Sequence, residues 1–172
     1  MNTPDQPAAQ LSSSQLAQLV GISLALNSTL EPQILLQNII RTAADLLDCE
    51  AASILLYDTR RAQLFFTSAS GDDPHQLAEI PVPLEGSIAG TVFRQNRPLV
   101  INDVQSDPRH YSQVSQQVNF TPRRLLAVPM RIHDQVTGVL EALNKRSGEF
   151  DEQDVHLLTV IASQAAVAIH NA

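Results

Sequence analysis

In "GVLEALNKRSGEFDEQD" an apolar run ends in the amide of Asn144 and the ammonium of Lys145, and Phe150, Asp151, Glu152 and Asp154 follow within nine positions. An amide and an ammonium so close to carboxylates have two uses. They can hold a polar ligand, or they can pair with the acids and fix the end of a strand against the start of a helix. A second group lies in "PLEGSIAGTVFRQ". There Gly86 permits a sharp turn, and a helix beginning at Ser87, Ile88 and Ala89 would present unpaired backbone N–H groups, a fit for a phosphate or carboxylate. The plainer reading of Gly86 and Gly90 is a turn and a close packing contact. Neither group is a catalytic constellation. His75, His110, His133, His156 and His170 are dispersed, with no HExxH or HxH spacing, and there is no Gly-x-Ser-x-Gly elbow or Walker loop. The single Cys49 excludes an internal disulfide and a thiolate zinc site. We therefore expect a chain that is not an enzyme, with no catalytic residue and no metal site.

The elements that would position these residues follow from periodicity. Residues 1–10 carry prolines and small polar side chains and are expected to be a disordered tail, leaving 11–172 as one domain. Leu16, Leu19, Val20 and Leu24 share a helical stripe that Ser12, Ser13 or Ser14 can cap, and Ile34, Leu35, Ile39, Ile40, Ala43, Leu46 and Leu47 make a second one beginning at Pro32. At Ala51 the pattern changes. "ASILLYD" and "QLFFTSAS" read as antiparallel strands across the turn "DTRRA". A long excursion follows, with a short helix at "SIAGTVFRQ", a short strand at "PLVIN" and a weak helix near "HYSQVSQQV". Excursions of that length in a compact domain are usually functional. Strands at "RLLAVPMRI" and "VTGVLEALN" flank a tight turn at His133, and a last helix has Asp151 as its N-cap and Val155, Leu158, Ile161, Ala162, Ala165 and Ile169 along its stripe. The predicted fold is α+β: a central antiparallel β-sheet with the N- and C-terminal helices on one face and a loop and short-helix segment over the other.

Composition limits the partners. With 44% apolar residues the 172-residue chain can bury a full core, and its net charge of −7 disfavours nucleic acid and anionic lipid. The doublets Arg60-Arg61 and Arg123-Arg124 are read as strand flanks. No apolar run reaches the length of a membrane span and no signal peptide is present, so a cytoplasmic location is expected.

Three segments in this order and spacing, "EGSIAGTVFRQNRPLVINDVQSDPRHY", "LLAVPM" with "GVLEALNK", and "FDEQDVHLLTVIASQAAVAIHNA", resemble the GAF family from about Leu16 to Ala172. Its members are small-molecule sensor domains of cyclic-nucleotide phosphodiesterases, adenylyl cyclases, the sensor kinases of two-component systems and transcriptional activators. "NKRSGEFDEQD" is similar to the NKFDE signature of the phosphodiesterase branch: Asn144, Lys145, Phe150 and Asp154 match it, and Val155 replaces the Glu. The resemblance implies that these four form a structural lock through a Lys145–Asp154 pair rather than contacting a ligand. It also implies that a ligand phosphate sits over the short helix, held by backbone donors at Ile88 and Tyr111. Relatives that bind cyclic GMP carry an Asp where this chain reads "TSASG", which leaves Ser68 or Ser70 nearest to a purine and the base open. The candidate ligand-binding residues are Phe66, Ser68, Ser70, Ser87, Ile88, Ala89, Asn102, Asp103, Tyr111 and Gln113. The methionine-sulfoxide-reducing and bilin-attaching branches need cysteines that are absent here, so no covalent cofactor is expected.

The function implied is a regulatory sensor of a cyclic nucleotide or other small anionic ligand. The alternative is a dimerisation and signal-transmission module with a vestigial pocket. Apolar residues beside the two terminal stripes, among them Ile22, Leu26, Val160 and Val167, lead us to expect a homodimer through the first and last helices. The last helix keeps its apolar rhythm to residue 172 without a C-cap, so an output domain in the same polypeptide is expected.

Overall fold

The computed structural model describes residues 12, 15, 18, 19, 31–69, 80–110 and 120–171. The expected tail, most of the first helix, the weak helix after His110, and the candidates Ser70, Tyr111 and Gln113 lie outside the described residues. Of the first stripe only Leu19 is described; it is helical and buried. Ser12 does cap: its backbone N–H donates to the Gln15 side chain and its hydroxyl accepts from the Gln15 N–H, a reciprocal capping box.

Helix α1 (Pro32–Leu47) starts on a proline that loses no helical hydrogen bond there, and it buries Leu35, Leu36, Ile39, Ile40, Ala43, Ala44 and Leu47. It stops at Asp48, whose left-handed backbone (φ 52°) turns the N–H back onto the carbonyls of Ala44 and Asp45. Then come β1 (Cys49–Asp58), β2 (Gln63–Ala69), β3 (Val82–Pro83), α2 (Ile88–Gln95), β4 (Leu99–Ile101) and a single 3₁₀ turn at Val104–Ser106. The chain continues with β5 (Leu125–Ile132), β6 (Gln135–Lys145) and α3 (Glu152–Asn171).

The six strands form one sheet in the order β3-β2-β1-β6-β5-β4, and every neighbouring pair is antiparallel. Alternation along the central strands sends side chains to two cores. One face carries Ala52, Ile54, Leu126, Val128, Met130, Leu140 and Ala142, packed against α1 and α3 through Ile39, Ile40, Leu158 and Ile161. The other carries Leu55, Leu64, Phe66, Leu125, Ala127 and Val139 under Ile88, Ala89 and Val92 of α2. The α+β fold is therefore as the hydrophobic pattern predicted. Strand β3 was not predicted: two residues, one of them a proline, leave no period to read.

Candidate functional site

On the α2 face, register places four residues in a row across the sheet. Ser53 of β1 pairs with Ala69 of β2 on one side and with Glu141 of β6 on the other, and Glu141 pairs in turn with Ala127 of β5. Cross-strand partners project on the same side. The row thus makes a floor of small side chains with a polar centre, between larger apolar rows at Phe66, Leu55 and Val139 and at Leu125 and Leu143. Glu141 is only 7% exposed, and the Ser53 hydroxyl donates to its carboxylate at 3.1 Å. Burial pushes the Glu141 carboxyl up to about 7, and the Ser53 bond pulls weakly the other way. Sequence reasoning missed both residues. The available signal was a lone acid inside the apolar run "GVLEALN".

Above this floor, α2 opens with Ser87 as its N-cap. The Ser87 hydroxyl accepts from the Gly90 N–H at 2.9 Å and donates to the Pro83 carbonyl at 2.6 Å, while the Thr91 N–H reaches the Ser87 carbonyl. Its one proton is committed, so the Ser87 hydroxyl builds the helix end rather than offering a donor. What the end does offer is the N–H groups of Ile88 and Ala89, which have no acceptor among the described residues. Gly86 adopts φ +80°, and a side chain on Gly90 would collide with the backbone of Pro83 and Leu84. Both glycines are thus explained by turn and packing, and that same close approach is what seats α2.

The other candidates are spread out. Phe66 is buried on the α2 face. Ser68 is not on it: a bulge in β2 at Thr67, opposite Ile54 and Leu55, shifts the β1–β2 register, so Ser68 opposes Ile54 on the α1 face and accepts from the Gln37 side chain at 3.0 Å. Ala69 takes its place over the floor. Asn102 is exposed and donates to Glu149 at 3.3 Å, away from the row, and Asp103 is exposed at the start of the 3₁₀ turn without a side-chain cap bond. Beyond that turn Asp107 and Arg109 form a bidentate pair, whose hydrogen bonds hold the Asp107 carboxyl below the usual range.

At the end of β6, Asn144 is buried with φ 58° and its amide is fully used. Its Oδ1 accepts from the N–H groups of Arg123 and Arg124 at 2.7 and 3.1 Å, and its Nδ2 donates to Glu50 and to the Thr121 carbonyl, both at 3.0 Å. The hydrogen bond from Asn144 and the nearby Arg123 guanidinium lower the Glu50 carboxyl. Lys145 reaches Asp154 at 2.6 Å with side chains only 17% and 11% exposed, so the pair is more enclosed than a surface ion pair. Burial pulls the Lys145 ammonium down, but the bond and charge of Asp154 outweigh it and leave it raised. Asp154 also accepts from the Asp151 N–H and donates its own N–H to Asp151 Oδ1, each at 3.0 Å, which makes Asp151 the N-cap of α3. Phe150 is buried in the helix-side core. None of these four residues bonds to Ser53 or Glu141: Asn144 ties backbone and Glu50, Lys145 pairs with Asp154, and Phe150 fills the core.

The arginine doublets flank strands: Asp58 accepts from the backbone of Arg60 and Arg61, Arg123 pairs with Glu50, and Arg124 donates to the Gly148 carbonyl. Cys49 is buried, and its thiol is pushed up to about 12 by burial and the negative charge of Asp154. Among the described residues no cluster of three metal-ligating side chains occurs, and no helix is long and apolar enough to cross a membrane.

Comparison with known proteins agrees with this architecture. The chain is 30% identical over 139 residues to a probable 3′,5′-cyclic phosphodiesterase, pde-5, of Caenorhabditis elegans, a match that takes in 76% of this chain and 19% of that protein. Its fold superimposes on the GAF domain of an Acinetobacter phosphoenolpyruvate-protein phosphotransferase with a TM-score of 0.79 at 22% identity, covering 94% of this chain and 96% of that one. The corresponding domain from Coxiella burnetii gives 0.82 at 17% identity, covering 93% and 96%. The family model for the GAF domain matches residues 29–170, and with the sheet order, the two-faced core and the strand-to-helix lock in place, this chain belongs to the GAF domain family.

Proposed function

We propose that this domain is a regulatory sensor that holds a small anionic molecule between the sheet and α2. The observation that carries the reading is the pairing of two unlike features on one face: backbone donors at Ile88 and Ala89 without acceptors among the described residues, and the Ser53–Glu141 pair buried in the floor beneath. The donors and the helix dipole favour an anionic group. The floor favours a group that hydrogen-bonds a hydroxyl and a carboxyl. A cyclic nucleotide has both, and the C. elegans relative is named as a cyclic phosphodiesterase, so cyclic AMP and cyclic GMP head the ligands to try. In this reading the lock is structural and the domain has no catalytic residue. It acts as a homodimer through its first and last helices within a larger cytoplasmic signalling protein, and the apolar Val167 (51% exposed) on α3 supplies part of that interface.

Calorimetry against cyclic AMP, cyclic GMP, inorganic phosphate and small dicarboxylates tests the reading. Saturable binding by one of them, weakened at least tenfold in Ala89→Pro, which removes one donor at the second helical position, is expected. Absence of binding by every member at millimolar concentration would overturn it and leave the transmission module with a vestigial pocket.

A further inference from the structure

Glu141 sits where a charge has least support. Its carboxyl faces the Ser53 hydroxyl from β1, Ala127 from β5 and, one strand further, Ala69 from β2, with Val139 and Leu143 beside it on β6. From above, α2 contributes Ile88, Ala89 and Val92; the nearest arginine of that helix, Arg94, is exposed and donates to the Leu84 carbonyl. Ile101 and Val104 close the β4 side, and Tyr57 packs on the same face. No described cation or second acid faces the carboxyl. Among the described residues an ionised Glu141 therefore has one hydroxyl partner and no counter-charge, which favours any arrangement that lets water in.

We propose that the Ser53–Glu141 pair makes closure of α2 over the sheet proton-dependent, so that the domain reads pH as a second input. With the acid neutral the α2 face stays packed. Once it ionises, the helix opens more often to hydrate it. The sign follows from linkage: an acid more basic in the closed state than in the open one stabilises closure at low pH and loses that effect as pH rises through the interval between the two values. That interval runs from the ordinary 4.5 to about 7. The inference goes beyond ligand binding and holds for the empty domain.

Backbone amide hydrogen exchange on the ligand-free protein, corrected for the intrinsic pH dependence of exchange, tests it. Between pH 6 and pH 7.5 the protection of residues 88–95 should fall roughly tenfold in the wild type, and α2 should exchange faster than α1, on the opposite face, at every pH. Glu141→Gln should abolish the fall. Ser53→Ala should move it to higher pH, because the hydroxyl favours the ionised acid. Protection of α2 equal to that of α1, which would mean that α2 opens only when the whole fold does, or the same fall in Glu141→Gln, would overturn the proposal. Should the Gln variant not fold, the carbonyl ¹³C titration of Glu141 in the wild type decides, and a midpoint below pH 5 refutes it.

Discussion

Asp154 serves two partners with one oxygen, the Lys145 ammonium and the Asp151 N–H, and it does so in a largely enclosed setting. Asp154→Ala is expected to cost about 1–3 kcal/mol, above the range of a surface pair, because Lys145 is left with only Asp151 at 3.9 Å. Phe150→Ala empties a buried aromatic site and should cost about 3–5 kcal/mol, so a denaturant titration should still rank it first. Stability should also vary with pH in both directions. Glu50, Asp107 and Asp151 have lowered carboxyls, so their contribution is present above their ordinary values and disappears as pH falls through the lowered ones. Glu141 is raised, so its contribution is full below 4.5 and is lost by about pH 7, a change of about 3 kcal/mol that Glu141→Gln should remove from the pH profile of unfolding. At this scale the sequence was informative where the chemistry is local. The spacing from Asn144 to Asp154 was readable because both ends of the lock lie ten residues apart. Ser53 and Glu141 lie 88 residues apart, and only strand register joins them.

Among the elements, helix α2 depends on Gly90 more than on any capping bond. A Cβ at that position would fall against the Leu84 carbonyl and within 2.6 Å of the Pro83 oxygen, and both contacts are backbone, which cannot swing aside. Gly90→Ala should therefore displace α2 and cost about 3 kcal/mol or more, with the loss of protection concentrated in residues 86–95 on hydrogen exchange. Gly86→Ala has open space around it and only a positive φ to oppose it, so about 1 kcal/mol is expected. Helix limits and long strands were legible because amphipathic period, Pro32, Ser87 and Asp151 mark them. The bulge in β2 was not. "FFTSAS" alternates as well in either register, and what moves Ser68 to the α1 face is a shift opposite Ile54 that no residue type in the strand demands.

For the whole molecule, the two exposed large apolar residues among those described, Ile34 and Val167, both belong to the helix layer on the side away from α2. Val160, expected at the same interface, is partly buried against the core instead, so a charge there would test folding rather than association. Val167→Glu is the cleaner change. Sedimentation at micromolar concentration should show a wild-type dimer and a folded Val167→Glu monomer, and a wild-type monomer would remove the dimer from the proposal.

Such an experiment can be taken further because of Cys49. A thiol that is buried, and that gives up its proton only near pH 12, is a poor nucleophile toward maleimides and alkylating reagents at neutral pH. The natural chain therefore serves as a nearly silent background for spectroscopic labelling. A single cysteine placed on an exposed turn of α3 can carry a spin label or fluorophore without first removing the native one, and the separation between two copies can be followed as ligand or pH is varied.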